Sequence, residues 1–241
     1  TRYKECKFPL LAANVFYEAN NQRPIYAKPY VILNYKGMKV GILGFANPET
    51  PKTTTLTNLT GLKFTAISPL IKEFVPLIRK DGADIVIILT HTPTEEIGKI
   101  LQELGPFNIP LVIGGHDHIK ESRRIDYGTD TPTDDTLLVS PGPFGRSYAS
   151  IYMTFERAGK IVTNHHAEII EIQGKLSSPE FPPNPTLETL IAEVIQPTET
   201  DTNEGIAESE NGVRIGNFAH SPLGNLLTDA WLESFPEADF A

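Results

Sequence analysis

The chain has 241 residues, 40% of them hydrophobic and 21% charged, and its 30 acidic against 21 basic side chains give a formal net charge of -9. That length holds one large α/β domain, or one domain and the opening of another, and the acidity works against capture by nucleic acid or an anionic membrane, which need clustered Lys and Arg. A single cysteine, Cys6, excludes an intrachain disulfide, and no apolar run approaches the roughly 18 residues of a membrane span.

Phe8-Pro9-Leu10-Leu11-Ala12-Ala13 reads as a buried strand. Thr1 is not an initiator and Asp239-Phe240-Ala241 reads as the first residues of a strand, so both ends are expected to be cut. Tyr30 to Tyr35 and Met38 to Phe45 are β-rich runs joined by Lys36-Gly37, a connection of hairpin length, and should pair antiparallel. Ser68-Pro69 offers an N-cap with proline at the first helical position, and Leu70, Ile71, Phe74, Val75 and Ile78 follow at helical spacing. Pro76 lies inside that pattern and should kink it, and Gly82 ends it. Ile85 to Leu89 is continuously apolar, as expected for a strand covered on both faces.

Thr92-Pro93-Thr94-Glu95 has the form of a capping box, so a helix should begin just after His91 and stop at Gly105-Pro106. Leu111-Val112-Ile113 is the next strand and ends in Gly114-Gly115. Strand, helix and strand in that order make a right-handed parallel crossover, which brings both strand ends to one sheet edge, where ligand sites form. Leu137 to Val139, Tyr148 to Phe155 and Ile161 to Ile172 continue as strands, the last two joined at Ala158-Gly159. Residues 179–185 have the proline-rich composition of a linker, and Leu187, Leu190, Ile191 and Val194 give a short amphipathic helix. Residues 199–211 are polar and read as loop, after which Ser221-Pro222 opens a helix with Leu223, Leu226, Leu227, Ala230 and Trp231 on one face.

Three of the six histidines stand where strands end: His91 after the first strand of the crossover, His116 and His118 after the second. Gly114 and Gly115 let the backbone leave the strand sharply and approach an ion, and alternate positions of an extended segment can reach two neighbouring metals. Neutral imidazole suits Zn, Mn or Fe, whereas a Mg or Ca site would be mostly oxygen. Three imidazoles and a water could instead hold one tetrahedral zinc. Asp117 is either a partner that fixes an imidazole tautomer or a solvated turn carboxylate. His165-His166, on opposite faces of a strand, and His220 read as structural. No Gly-x-Ser-x-Gly, P-loop or Gly-x-Gly-x-x-Gly sequence occurs.

Ile-Leu-Thr-His (88 to 91) and Gly-Gly-His-Asp-His (114 to 118) resemble two metal-binding motifs of the calcineurin-like metallophosphoesterases. Leu11 to Val15, Gly41 to Gly44 leading to Pro48-Glu49-Thr50, Gly82-Ala83-Asp84, Pro141-Gly142 and Pro222 to Ala230 are similar to the 5'-nucleotidase branch of that superfamily. The resemblance implies an α/β fold, the metallophosphoesterase αββα sandwich in part. It divides the chain into the C-terminal portion of the metallophosphoesterase domain (1–176), a linker and connecting helix (177–198), and the start of the C-terminal substrate-binding domain (199–241). It further implies two divalent metal ions, Zn, Mn or similar, with His91 and His116 on one and His118 on the other, and a small nucleotide as substrate. The other ligands and the catalytic His-Asp pair of the family would precede Thr1, so the chain by itself should bind metal weakly and be a poor catalyst. His220 stands where many members of the family have Glu, which leaves 5'-nucleotidase, cyclic-nucleotide phosphodiesterase and sugar-nucleotide hydrolase open, besides a non-catalytic binding module.

Overall fold

The computed structural model describes residues 2–129, 134–172, 182–202 and 222–234. Its elements in chain order are β1 (Val15–Tyr17), β2 (Tyr30–Tyr35), β3 (Met38–Phe45), α1 (Thr50–Thr53), β4 (Leu62–Phe64), α2 (Ser68–Lys80), β5 (Ile85–Thr90), α3 (Thr94–Leu104), β6 (Leu111–Ile113), β7 (Lys120–Ile125), β8 (Thr136–Pro141), β9 (Ser147–Glu156), β10 (Ile161–Glu171), α4 (Pro185–Thr202) and α5 (Pro222–Ser234). The chain divides into two units, Thr1–Lys175 and Leu176–Ala241.

A six-stranded sheet in the order β2-β3-β5-β6-β8-β7 organises the first unit. Its four inner strands run parallel, and the two edge strands run antiparallel to their neighbours. The β2–β3 turn has positive φ at both Lys36 (49°) and Gly37 (83°), the pair of conformations a two-residue hairpin turn needs to match strand twist. Helices α2 and α3 cover one face. Leu70, Ile71, Phe74, Val75 and Ile78 of α2 and Ile97 and Leu101 of α3 pack on Leu43, Phe45, Val86, Ile88, Val112 and Leu138 of the sheet. Each such burial contributes roughly 2 kcal/mol before entropy is counted. The paired strands β9 and β10 lie on the other face, where Ala149, Ile151, Met153 and Ala167 meet Leu111, Leu137 and Val139. The unit is a mixed α/β fold with layers of helix, sheet and sheet.

Several expectations change in the folded chain. Residues 8–13 do not form a strand. Only Leu11 makes a bridge, to Lys28, Phe8 is 66% exposed, and Ala13 is buried in the core with its N–H donating to the carbonyl of Gly44. Helix α2 starts at Ser68 itself, without a side-chain cap, and runs as helix through Pro76 to Lys80. Strand β5 is not covered throughout: Ile85, Val86 and Ile88 are buried but Leu89 is 45% exposed and belongs to neither hydrophobic cluster. Strand β7 had no counterpart in the sequence reading.

In the second unit, α4 is longer than the short helix expected and takes in residues 199–202, which had read as loop. Leu187, Leu190, Ile191 and Val194 are exposed along one side of it. Helix α5 begins at Pro222, as the Ser-Pro signal predicts. Residues 179–181 of the expected linker, residues 203–211 of the expected loop, His220 and residues 239–241 lie outside the described residues.

Candidate metal centre

Strands β5 and β6 pair in parallel with Ile88 opposite Val112 and Leu89 opposite Ile113, so their C-terminal tips emerge side by side. His91 leaves the first tip and His116 the second. Their rings meet edge to face, with centroids 5.1 Å apart and planes at 77°. His91 is exposed and His116 half-buried.

Local contacts fix each imidazole. His91 sits between two buried threonines whose hydroxyls bond to each other, Thr90 Oγ1 to Thr92 Oγ1 at 2.8 Å. The Thr92 N–H also donates to Thr90 Oγ1 at 3.2 Å, and the His91 N–H donates to the carbonyl of Phe45. These bonds close the backbone around residue 91 and turn its ring out of the strand tip. A Cβ on Gly115 would stand 3.7 Å from His91 Nδ1, so the turn after β6 passes directly beneath that ring. His116 and His118 both adopt positive φ, 83° and 59°, which costs a non-glycine residue of order 1–3 kcal/mol and persists only when neighbours enforce it.

Asp117 is one such neighbour, in a role neither sequence alternative anticipates. Its Oδ2 accepts from both the backbone N–H and the hydroxyl of Thr94, each at 2.9 Å. No side chain of Thr92-Pro93-Thr94-Glu95 caps α3. The expected capping box is therefore replaced by a carboxylate from the histidine turn, a tertiary contact that local spacing does not reveal. Asp117 Oδ1 is buried without a hydrogen-bond partner. On the far side of Thr94, the guanidinium of Arg123 donates to its carbonyl at 3.2 Å and pairs with Glu121 at 2.6 Å.

His118 is exposed and turns elsewhere: its ring meets Phe144 edge to face at 5.0 Å. Phe144 is itself 77% exposed and in a left-handed backbone, φ 60°. Among the described residues no three His, Cys, Asp or Glu side chains gather around one point. The structure thus joins His91 with His116 and does not bring His118 to them as a third donor to a single ion. A cavity of about 490 Å³ bounded by Tyr3, Phe8, Leu10, Ile25, Tyr26 and Val31 includes none of the three histidines. Thr94, Arg123 and Phe144 are the contributors sequence reasoning missed. Only Phe144, an aromatic residue between a proline and a glycine, carried a local sign.

The other imidazoles among the described residues stay out of the site. His165 is buried, with Nε2 3.3 Å from Arg124 Nη1 and its carbonyl accepting from Arg124 Nη2 at 2.5 Å. Burial first, and then the Arg124 charge, lower its pKa, with Asp135 opposing. His166 stacks on Tyr152 at 4.9 Å. Both are structural, as their place in a strand implies.

The donor set of the pair is incomplete by itself. Two adjacent imidazoles are nitrogen donors of the kind Zn, Mn or Fe prefers, and among the described residues no third His, Cys, Asp or Glu joins them at one point.

No family model matches the chain. It is 24% identical over 248 residues to a 5'-nucleotidase-related protein of Glossina morsitans morsitans, covering 95% of this chain and 42% of that one. It is 34% identical over 132 residues to the 2',3'-cyclic-nucleotide 2'-phosphodiesterase/3'-nucleotidase of Haemophilus influenzae, covering 48% and 20%. The fold superposes on the 5'-nucleotidase precursor of Thermus thermophilus with a TM-score of 0.77 at 19% identity, covering 98% of this chain and 48% of that one. The chain is similar in sequence to 5'-nucleotidases along nearly its whole length and shares the fold of a solved 5'-nucleotidase and of a calcineurin-like phosphoesterase. It spans less than half the length of these 5'-nucleotidase relatives. The sheet of this chain carries the two facing histidines beyond the tips of neighbouring parallel strands, the edge at which such sheets bind ligands.

Proposed function

We propose that the whole protein hydrolyses nucleoside phosphomonoesters, nucleoside 5'-monophosphates foremost, with two divalent metal ions held in part by His91, His116 and His118. The observation that carries this is the edge-to-face pair His91–His116 at adjacent strand tips, in a chain of a metal-dependent hydrolase family. When bound, a divalent ion supplies positive charge to a phosphate and acidifies water.

The chain's own residues do the positioning. Thr90 and Thr92 hold the His91 backbone, Gly115 lets the turn after β6 pass close under that ring, and Asp117 ties the turn to α3. The nucleotide is the partner this reading requires, and its phosphate would sit at the β5–β6 edge. In the same reading residues 1–176 belong to the phosphoesterase domain, 177–198 to a linker and helix, and 199–241 to the start of a substrate-binding domain.

Phosphate release from AMP by the full-length protein, with Mn²⁺ or Zn²⁺ and with chelator, tests the proposal. Release should stop with chelator and with His116→Ala, and full activity in that variant would remove the metal assignment. The relative named a 2',3'-cyclic-nucleotide 2'-phosphodiesterase/3'-nucleotidase, 34% identical over its matched stretch, favours a second reading. Turnover of 2',3'-cyclic AMP or 3'-AMP in preference to 5'-AMP would establish it.

A further inference from the structure

The turn after β6 carries two histidines in sequence but shows three unusual features in structure. Residues on both sides of Asp117 have left-handed backbone, His116 at φ 83° and His118 at φ 59°. Between them, Asp117 reaches across to another element and takes both hydrogen bonds that Thr94 can donate. Thr94 is 2% exposed, and one side of that carboxylate is buried with no donor. A carboxylate with its charge half satisfied in a buried place is costly unless it accomplishes something. Here it joins the N-terminus of α3, whose first amide groups have no helical partner, to a turn with two left-handed non-glycine residues.

We infer that the Asp117–Thr94 pair is a latch that holds the turn in its left-handed form and thereby sets the directions of the His116 and His118 imidazoles. Both are positioning residues: they act on a ligand through the histidines. Arg123, donating to the Thr94 carbonyl, and Gly114, whose Cβ position lies 3.1 Å from Thr94 Cγ2, close the remaining sides of Thr94. The latch accounts for a hydroxyl side chain at position 94. The hydroxyl supplies the second donor, and the methyl group lies beside Gly114. Insofar as the turn serves metal binding, the inference rests on the function proposed above.

The test uses Thr94→Val, which keeps shape and amide but removes the hydroxyl, Thr94→Ser, which restores the hydroxyl, and Asp117→Ala. Two readouts are taken on the same chain: NMR resonances of His116 and His118 without metal, and Zn²⁺ affinity by calorimetry. Thr94→Val and Asp117→Ala should shift both histidines while the β2–β3 resonances stay in place, and should weaken Zn²⁺ binding about tenfold or more, as removal of a partner that orients a ligand does. Thr94→Ser should return both readouts to the wild-type values. Wild-type histidine resonances in Thr94→Val overturn the latch, as does failure of Thr94→Ser to restore them. If the wild-type chain takes up no Zn²⁺ while the metal-free resonances respond as described, the latch stands and the metal reading alone falls. Should Asp117→Ala fail to fold, the Thr94 pair decides by itself.

Discussion

The rings of His91 and His116 meet edge to face, 5.1 Å apart between centroids, although the two residues follow different strands. If they share a ligand, their contributions are coupled. His91→Ala and His116→Ala should each lower Zn²⁺ affinity at least about tenfold, or about 1.4 kcal/mol, and the double variant should lose little more than the worse single one. A calorimetric double-mutant cycle measures this. Strictly additive losses would mean the rings serve separate ions.

Thr90 and Thr92 bracket His91 and bond to each other while almost fully buried. Thr90→Val leaves the Thr92 hydroxyl and amide without that acceptor, a loss of about 1–3 kcal/mol. The urea midpoint should fall accordingly, and the His91 resonance should broaden or move. An unchanged midpoint would show that water replaces the lost oxygen.

At Gly44 a Cβ would overlap the Cβ of Leu11 and stand 3.1 Å from the Leu11 carbonyl carbon and oxygen. The obstacle is backbone and the root of a side chain, which cannot swing away. Gly44→Ala should therefore cost about 1–3 kcal/mol and free the Ala13 amide, now bonded to the Gly44 carbonyl, to faster hydrogen exchange. Retained protection at Ala13 would contradict this.

His165 makes stability depend on pH. Burial and the neighbouring Arg124 keep its imidazole neutral below its ordinary pKa of 6.5, Asp135 only partly offsetting them. The unfolded chain takes up that proton near pH 6.5 and the folded one does so only at lower pH. Stability is therefore full above about pH 6.5, declines as pH falls below it, and levels off once the folded imidazole also protonates. Urea midpoints at about pH 7.5 and about pH 5 should differ less in His165→Gln than in wild type. Equal differences would assign the acid sensitivity to other groups.

How much was readable in the chain follows from where the deciding interactions lie. Strands β2 and β3, helix α2 and the β5–α3–β6 crossover were legible because their signals are local: a hairpin turn of two residues, five apolar side chains of α2 at helical spacing, a Gly-Pro stop after α3 and a glycine pair after β6. The meeting of His91 and His116 followed from crossover geometry alone. Strand β7, Lys-Glu-Ser-Arg-Arg-Ile, was invisible because four of its six side chains are charged. It is an edge strand, where charge is favoured, and Arg123 and Arg124 lie along neighbouring elements while keeping polar partners. The Asp117–Thr94 contact was out of reach because residues 23 positions apart meet only after the sheet has formed. The turning of His118 toward Phe144 was hidden for the same reason.

The parallel pairing of β5 with β6 rests on only two residue pairs, Ile88 with Val112 and Leu89 with Ile113. Anything that grips His91 and His116 together would act as a rivet across this narrowest seam of the sheet. Occupancy would then tighten the whole layer by mass action, by RT ln(1 + [L]/Kd), so the protein's resistance to melting would itself record how much ligand it carries.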